Sequence, residues 1–263
     1  MDLQLNSKTA FISGSTQGIG FTVAKQLLKE GADVIINGRT QDKIDVAIRK
    51  LKDEMPFANV SGIAADFSSK EEVEGLLKQL PPVDVLINNV GIFELKDFND
   101  IDDEEWLNIF NVNVMSGVRL SRHLLSGMLS RGWGRVIFIS SESGINVPGN
   151  MIHYGMTKTA MLSISNGLSK LTKGTQVTIN TVLGGPTYSD GVAQVVRHIS
   201  QQYNQPEDLI KGQIMQSTNP HSLLGRFIEP EEIASVVAYL SSPLAAAING
   251  TSIRADGGVL NTL

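Results

Sequence analysis

"TAFISGSTQGIG", residues 9 to 20, begins as a short apolar run rich in strand-forming residues and ends in three glycines. Gly14, Gly18 and Gly20 stand in the spacing G-x-x-x-G-x-G. From residue 18 to residue 30 the apolar positions recur at helical spacing, and Gly31 supplies a helix stop. A strand, a glycine-rich turn and a helix in this order place a helix N-terminus at the carboxyl end of the strand. Free N–H groups and the helix dipole attract anions there, and glycine lets the backbone approach a pyrophosphate closely. Gly14, Ser15, Thr16, Gly18, Ile19 and Gly20 are therefore the candidate phosphate cradle. The spacing is not the generic G-x-G-x-x-G fingerprint, and a tight packing turn is the competing reading.

The same alternation runs through the chain. "DVIIN" (33 to 37), "VSGIAA" (60 to 65), "VDVLIN" (83 to 88), "RVIFIS" (135 to 140) and "QVTINTV" (176 to 182) read as buried strands. Helical spacing occupies residues 41 to 54, 69 to 79, 102 to 130 and 151 to 172. Strands and helices alternating at these lengths imply right-handed crossovers and a parallel sheet covered on both faces. The expected fold is a Rossmann-type, doubly wound α/β domain spanning residues 1 to 263, with no internal repeat and no linker. Residues 186 to 229 interrupt the pattern. Val192, Val195, Val196, Ile199 and Tyr203 form an amphipathic helical stripe there, and "KGQIMQSTNP" offers a stretch able to flex. The insertion either covers the body or forms a helical lid. We read a lid, because ligands of open α/β sheets bind outside the carboxyl ends of the strands, where this segment begins. Tyr188, Val192 or Met215 would then face a substrate that is apolar or mixed rather than multiply charged.

Composition narrows the function. The 263 residues carry a formal net charge of -5, which argues against nucleic acid and anionic membranes as partners. There is no cysteine, so disulfides, thiolate metal sites and a Cys nucleophile are excluded. "MDLQLNSK" does not read as a signal peptide, and no run approaches the ~20 apolar residues of a membrane helix. A soluble cytoplasmic protein is expected. His123, His153, His198 and His221 show no metal-ligand spacing, and no metal site is expected.

The end of the second strand bears on which nucleotide binds. Sites for NAD commonly hold a carboxylate there, whereas sites for NADP use an arginine for the 2'-phosphate. In "VIINGRT", Asn37 and Gly38 bring no negative charge and Arg39 offers a forked cation, so NADP(H) is favoured over NAD(H). "YGMTK", residues 154 to 158, sets Tyr154 and Lys158 four apart, on one face of a helix. The ammonium is expected to draw the phenol below its usual ~10, toward acid/base work near neutrality.

Taken together, Gly14-x-x-x-Gly18-x-Gly20, "NNVG" at 88 to 91, "NVN" at 111 to 113, the serines of "ISSESG" and "YGMTK" are similar in order and spacing to the short-chain dehydrogenase/reductase family. The resemblance extends to the final "GTSIRADGG". It implies hydride transfer between NADP(H) and a small carbonyl or secondary alcohol substrate, in a homo-oligomer, dimer or tetramer. Matched position by position, it implies a catalytic tetrad of Asn113, Ser141, Tyr154 and Lys158. Ser141 is selected over Ser140 because the family serine lies thirteen residues before the tyrosine. Asn113 is expected to hold a water that links Lys158 to solvent. In the cofactor pocket the resemblance assigns Asp66 to the adenine, Asn88 and Gly91 to the ribose segment, and Gly185 with Thr187 or Ser189 to the nicotinamide end; Tyr154 and Lys158 also touch the cofactor. Val90 and Gly184 depart from the family's usual alanine and Pro-Gly pair. Glu142 reads as a pocket residue or as a surface acid, and His153 as pocket wall or surface. An NAD-dependent alcohol dehydrogenase of the same family and a nucleotide-binding regulator without turnover remain alternatives.

Overall fold

The computed structural model describes residues 1–261. Seven parallel strands lie in the order β3-β2-β1-β4-β5-β6-β7. They are β1 (Thr9–Ile12), β2 (Asp33–Gly38), β3 (Val60–Ala64), β4 (Val85–Asn88), β5 (Trp133–Ser141), β6 (Gln176–Gly184) and β7 (Ser252–Ala255). The chain steps from β1 through β2 to β3, returns to the other side of β1 with β4, and continues outward. The strand order thus reverses between β1 and β4, and a crevice opens at their carboxyl ends.

Alternation along the strands feeds two cores. On β1, Ala10 and Ile12 join Val23 and Leu27 of α1 (Gly18–Lys29), Ile44 and Leu51 of α2 (Gln41–Glu54) and Val237 of α9 (Pro230–Ser241). Phe11, between them, points the other way. It packs with Leu76 of α3 (Lys70–Gln79), Leu120 and Leu124 of α5 (Ser116–Arg131) and Met161 of α6 (Ile152–Ser169). A period of two on the strands therefore serves helices on both faces. Helix starts are written locally: the Ser69 hydroxyl accepts the Glu72 N–H at 3.3 Å, and Asp102 and Glu105 form a capping box ahead of α4 (Asp103–Phe110).

Three features differ from the sequence expectation. The edge strand β7 was not anticipated, because its side chains are half-exposed and make no apolar run. The single helix expected over 102 to 130 is α4, a π turn (Asn111–Met115) and α5. Within residues 186 to 229, α7 (Asp190–Tyr203) is followed by α8 (Glu207–Thr218), which absorbs most of the stretch expected to flex. Of the stripe on α7, Val196 is buried while Val195 and Tyr203 are exposed. Among the described residues, no helix is long and apolar enough to cross a membrane.

Candidate active site

The turn after β1 is tied on both sides. The Ser13 hydroxyl accepts the N–H groups of Asn89 (3.0 Å) and Val90 (3.1 Å), and Asn89 Nδ2 donates to Gly14 O (2.8 Å). From β2, Asn37 Oδ1 accepts the Gly14 N–H at 3.0 Å. Gly14 and Gly18 have φ near +60°, and a Cβ on Gly20 would stand 2.7 Å from Gly14 O, so the turn needs glycine at these places. Above it lies a cleft of about 530 Å³, which Thr16, Ile19 and the three glycines line at its centre. Ser15 does not line it. Its hydroxyl donates to Ile12 O (2.7 Å) and accepts the Asn37 N–H (3.0 Å), which turns the side chain into the β1–β2 junction. Asn88 is likewise buried; its Nδ2 donates to Ser121 Oγ (3.3 Å) and its Oδ1 has no partner.

Arg39 and Asp66 stand at one end of the cleft, joined by Lys43, which the sequence reading missed. Lys43 lies four residues after Arg39 in the first turn of α2, so both exposed cations border the same space. Asp66 Oδ1 accepts the N–H (2.9 Å) and hydroxyl (2.8 Å) of Ser68, which fixes the turn after β3. Ser189 and Gly91 stand at the other end. The Gly18 N–H, at the start of α1, donates to Asp190 Oδ2 at 2.7 Å, so a carboxylate from the first turn of α7 reaches the cradle. The glycines a Cβ would disrupt and the two neighbouring cations fit a phosphorylated dinucleotide.

A second pocket of about 220 Å³ continues from the cleft through Gly91, Phe93 and Ser189. It gathers Ser141, Tyr154, Lys158, Gly185, Thr187 and Val192. Thr187 and Ser189 both reach it, so both hydroxyls left open by the sequence border the same space. Ser140 and Ser141 end β5 with opposite duties. Both border the pocket, but Ser140 Oγ donates to Lys158 O at 2.9 Å, which binds strand to helix, while Ser141 Oγ turns to Glu142. Lys158 Nζ donates to Ile139 O (3.0 Å) and lies 5.4 Å from the centroid of the Tyr154 ring. The π turn delivers Asn113. Its Oδ1 accepts the Ile92 N–H (2.7 Å), and its Nδ2 donates to Ile92 O (2.9 Å) and to Thr157 Oγ1 (3.0 Å). The amide thus braces the segment after β4 against α6. A Cβ on Gly91 would stand 3.5 Å from Lys158 Nζ and 3.6 Å from Asn113 Oδ1, so the two polar groups flank that glycine.

The electrostatics correct one expectation. Burial, and then the charge of Glu142, push the Tyr154 phenol above its ordinary value, against the pull of a hydrogen bond from Ser141. The ammonium sits over the ring face, beside Ile139 O, and not at the hydroxyl. Burial lowers Lys158 from 10.5 to about 8, opposed by Glu142. Glu142, left undecided by the sequence, is half-buried and belongs to the site: Ser141 Oγ approaches its carboxyl at 2.5 Å and Ser143 Oγ at 3.2 Å. His153 is buried edge-on against Trp106, with ring centroids 5.9 Å apart, as wall packing. Of the proposed lid side chains, Val192 lines the pocket, Met215 is buried, and the Tyr188 hydroxyl donates to Glu207 at 3.2 Å. Among the described residues no three His, Cys, Asp or Glu groups are clustered to hold a metal.

Comparison with known proteins gives concordant results. The family model described as short chain dehydrogenase matches residues 8–200. The uncharacterized oxidoreductase YvrD of Bacillus subtilis is 44% identical over 266 residues, covering 100% of both chains. The crystal structure of L-sorbose reductase from Gluconobacter frateurii, complexed with NADPH and L-sorbose, superposes with a TM-score of 0.91 at 28% identity, covering 100% of both chains. A variant of actinorhodin polyketide ketoreductase with NADPH has a TM-score of 0.86 at 29% identity, with 97% of this chain and 98% of that one covered.

Proposed function

The chain belongs to the short-chain dehydrogenase/reductase family and is an oxidoreductase, and we propose that it transfers a hydride between NADP(H) and a carbonyl or secondary alcohol substrate. The observation that carries this reading is the continuity of two spaces: the glycine cleft bordered by Arg39 and Lys43 opens into the pocket of Ser141, Tyr154 and Lys158. NADPH-bound relatives of known structure support the cofactor. Arg39 and Lys43 would hold its 2'-phosphate, the N–H groups of the cradle its pyrophosphate, and Thr187 or Ser189 its nicotinamide end.

Bound there, NADPH supplies hydride to a carbonyl carbon. Tyr154 donates its phenolic proton to the substrate oxygen, a role suited to a phenol kept protonated at neutral pH by burial. Ser141 hydrogen-bonds the same oxygen and stabilises its developing charge. Lys158 holds positive charge beside the phenolate left behind and reaches toward the ribose hydroxyls. Asn113 keeps Ile92 and Thr157 in place around them. Residues 186 to 229 act as the lid, with Val192 on the pocket and Asp190 on the cradle. We further infer a cytoplasmic homodimer or homotetramer. The apolar groove formed by Val118, Leu125 and Leu129 of α5 with Ile164 and Leu168 of α6 supports assembly.

Two measurements test the reading. NADPH should raise the thermal midpoint more than NADH at equal concentration. NADPH oxidation with aliphatic ketones, 3-oxoesters, hydroxyketones such as L-sorbose, and aromatic aldehydes should show turnover with at least one class. Tyr154→Phe should keep the thermal shift and lose ~10²-fold or more of that turnover. Turnover with none of these carbonyls would overturn the reading.

A further inference from the structure

Ser141 has one proton and two acceptor positions. One acceptor position is filled by the Ser143 N–H at 3.1 Å. A second direction is taken by Glu142 Oε2 at 2.5 Å, and the third faces Tyr154, the side on which a substrate oxygen would meet both hydroxyls. What Ser141 presents in that direction depends on where the proton between Ser141 and Glu142 belongs. An ionised carboxylate takes the serine proton and leaves a lone pair facing the pocket. A carbonyl oxygen is also an acceptor, and two acceptors repel. A protonated carboxyl fills the second lone pair of Ser141 instead and frees the serine proton for the substrate.

We propose that Glu142 is a positioning residue that turns the Ser141 hydroxyl, so that Ser141 donates to the substrate carbonyl oxygen when Glu142 carries a proton and not when it is ionised. The inference rests on the reductase reading above and adds a residue that passes no proton to the product: the proton still comes from Tyr154. The site makes the protonated form easier to reach than it is for a carboxylate in water. Burial pushes the Glu142 carboxyl up from its ordinary value, and the bonds from Ser141 and Ser143 pull it partly back. From α6 the titratable groups facing it are Tyr154 and Lys158; β6, the sheet element in contact with this turn, contains no titratable residue. The second carboxyl oxygen, held by Ser143 Oγ, fixes the plane of the group. Reduction is then present below the Glu142 midpoint and lost as pH rises through it, by about tenfold per pH unit.

The test has two readouts. In protein labelled with ¹³C at glutamate carboxyls, the resonance absent from Glu142→Gln is assigned to Glu142 and titrated. Its midpoint should lie above the ordinary ~4.3, and Ser141→Ala should move it higher, because a bond favouring the ionised form is gone. In the same pH range kcat for NADPH oxidation with the best carbonyl of the panel should fall in the parent. It should stay level in Glu142→Gln, whose amide donates to Ser141 at every pH, with KM little changed. Glu142→Ala should also lack the limb, at a several-fold lower plateau. An ordinary midpoint, or a limb retained in both variants, overturns the proposal while turnover in the parent keeps the reductase reading. A parent without turnover on the panel overturns that reading, and this proposal with it.

Discussion

Two cations are buried against β5, one at each end. Arg135, near its start, is 1% exposed; Lys158, packed on its end, is 5% exposed. Burial lowers both, Arg135 to about 10 and Lys158 to about 8. Arg135 Nε donates to Ser242 O (3.1 Å), Nη1 donates to Gly134 O (2.9 Å) and Gln176 O (2.6 Å), and the guanidinium stacks 4.6 Å from the Trp133 ring centroid. Lys158 Nζ donates to Ile139 O and turns toward a pocket. Depth of burial therefore does not separate a cation held within the fold from the one proposed to take part in the chemistry. Arg135 Nη2 is buried without a partner, so complete satisfaction does not separate them either; the difference is that Lys158 borders a space that a ligand can enter and Arg135 does not.

Replacing the two cations in turn breaks the comparison most directly. Lys158→Met should lose at least ~10²-fold in turnover. It should also stabilise the fold near neutrality. A lysine lowered from 10.5 to about 8 contributes stability that is present above pH 10.5 and lost as pH falls through about 8. At pH 7 the parent carries that penalty and the variant does not, a gain on the order of 2 kcal/mol that urea unfolding at pH 7 and pH 10 should show shrinking at the higher pH. Arg135→Met should do the reverse, leaving kcat unchanged and lowering stability by ~3 kcal/mol, because carbonyls of Ser242, Gly134 and Gln176 lose their donor. Equal effects of the two variants on turnover would erase the distinction. The exposed cations sharpen it. Arg39→Ala and Lys43→Ala should each weaken NADPH binding by roughly tenfold or less and leave NADH binding unchanged, as titration of each cofactor would report.

Arg39 and Lys43 also show what a chain without relatives beside it reveals. Arg39 stood out because it ends a strand where a carboxylate is common, while Lys43 looks like any solvated residue at a helix start. Five strands were legible because their Val and Ile runs are buried on both faces, and the edge strand β3 because Val60 and Ile63 still make a short apolar run. β7 was not, since "SIRA" at the sheet edge needs no such run. Tyr154 and Lys158 were singled out by their spacing and Ser141 by the family resemblance, and one pocket holds all three. Ser15 misled, because a hydroxyl beside a phosphate cradle looks like a ligand until Asn37 is seen to bond it. Glu142 and Asp190 were illegible for the reason Lys43 was: a single charge says nothing about the backbone that will face it.

The π turn between α4 and α5 has a consequence for how the chain tolerates changes of length. One extra residue in a helical turn shifts everything after it by about 100°. Here that offset lets Asn113 face Ile92 and Thr157 while Leu120 and Leu124, further along, still face the sheet. Removing any one residue between 111 and 115 would restore an ordinary helix and rotate one set out of place. Either the amide would leave its three bonds or two leucines would leave the core. A deletion there is therefore more damaging than one in the solvated turn 173 to 175, although neither stretch declares it by composition.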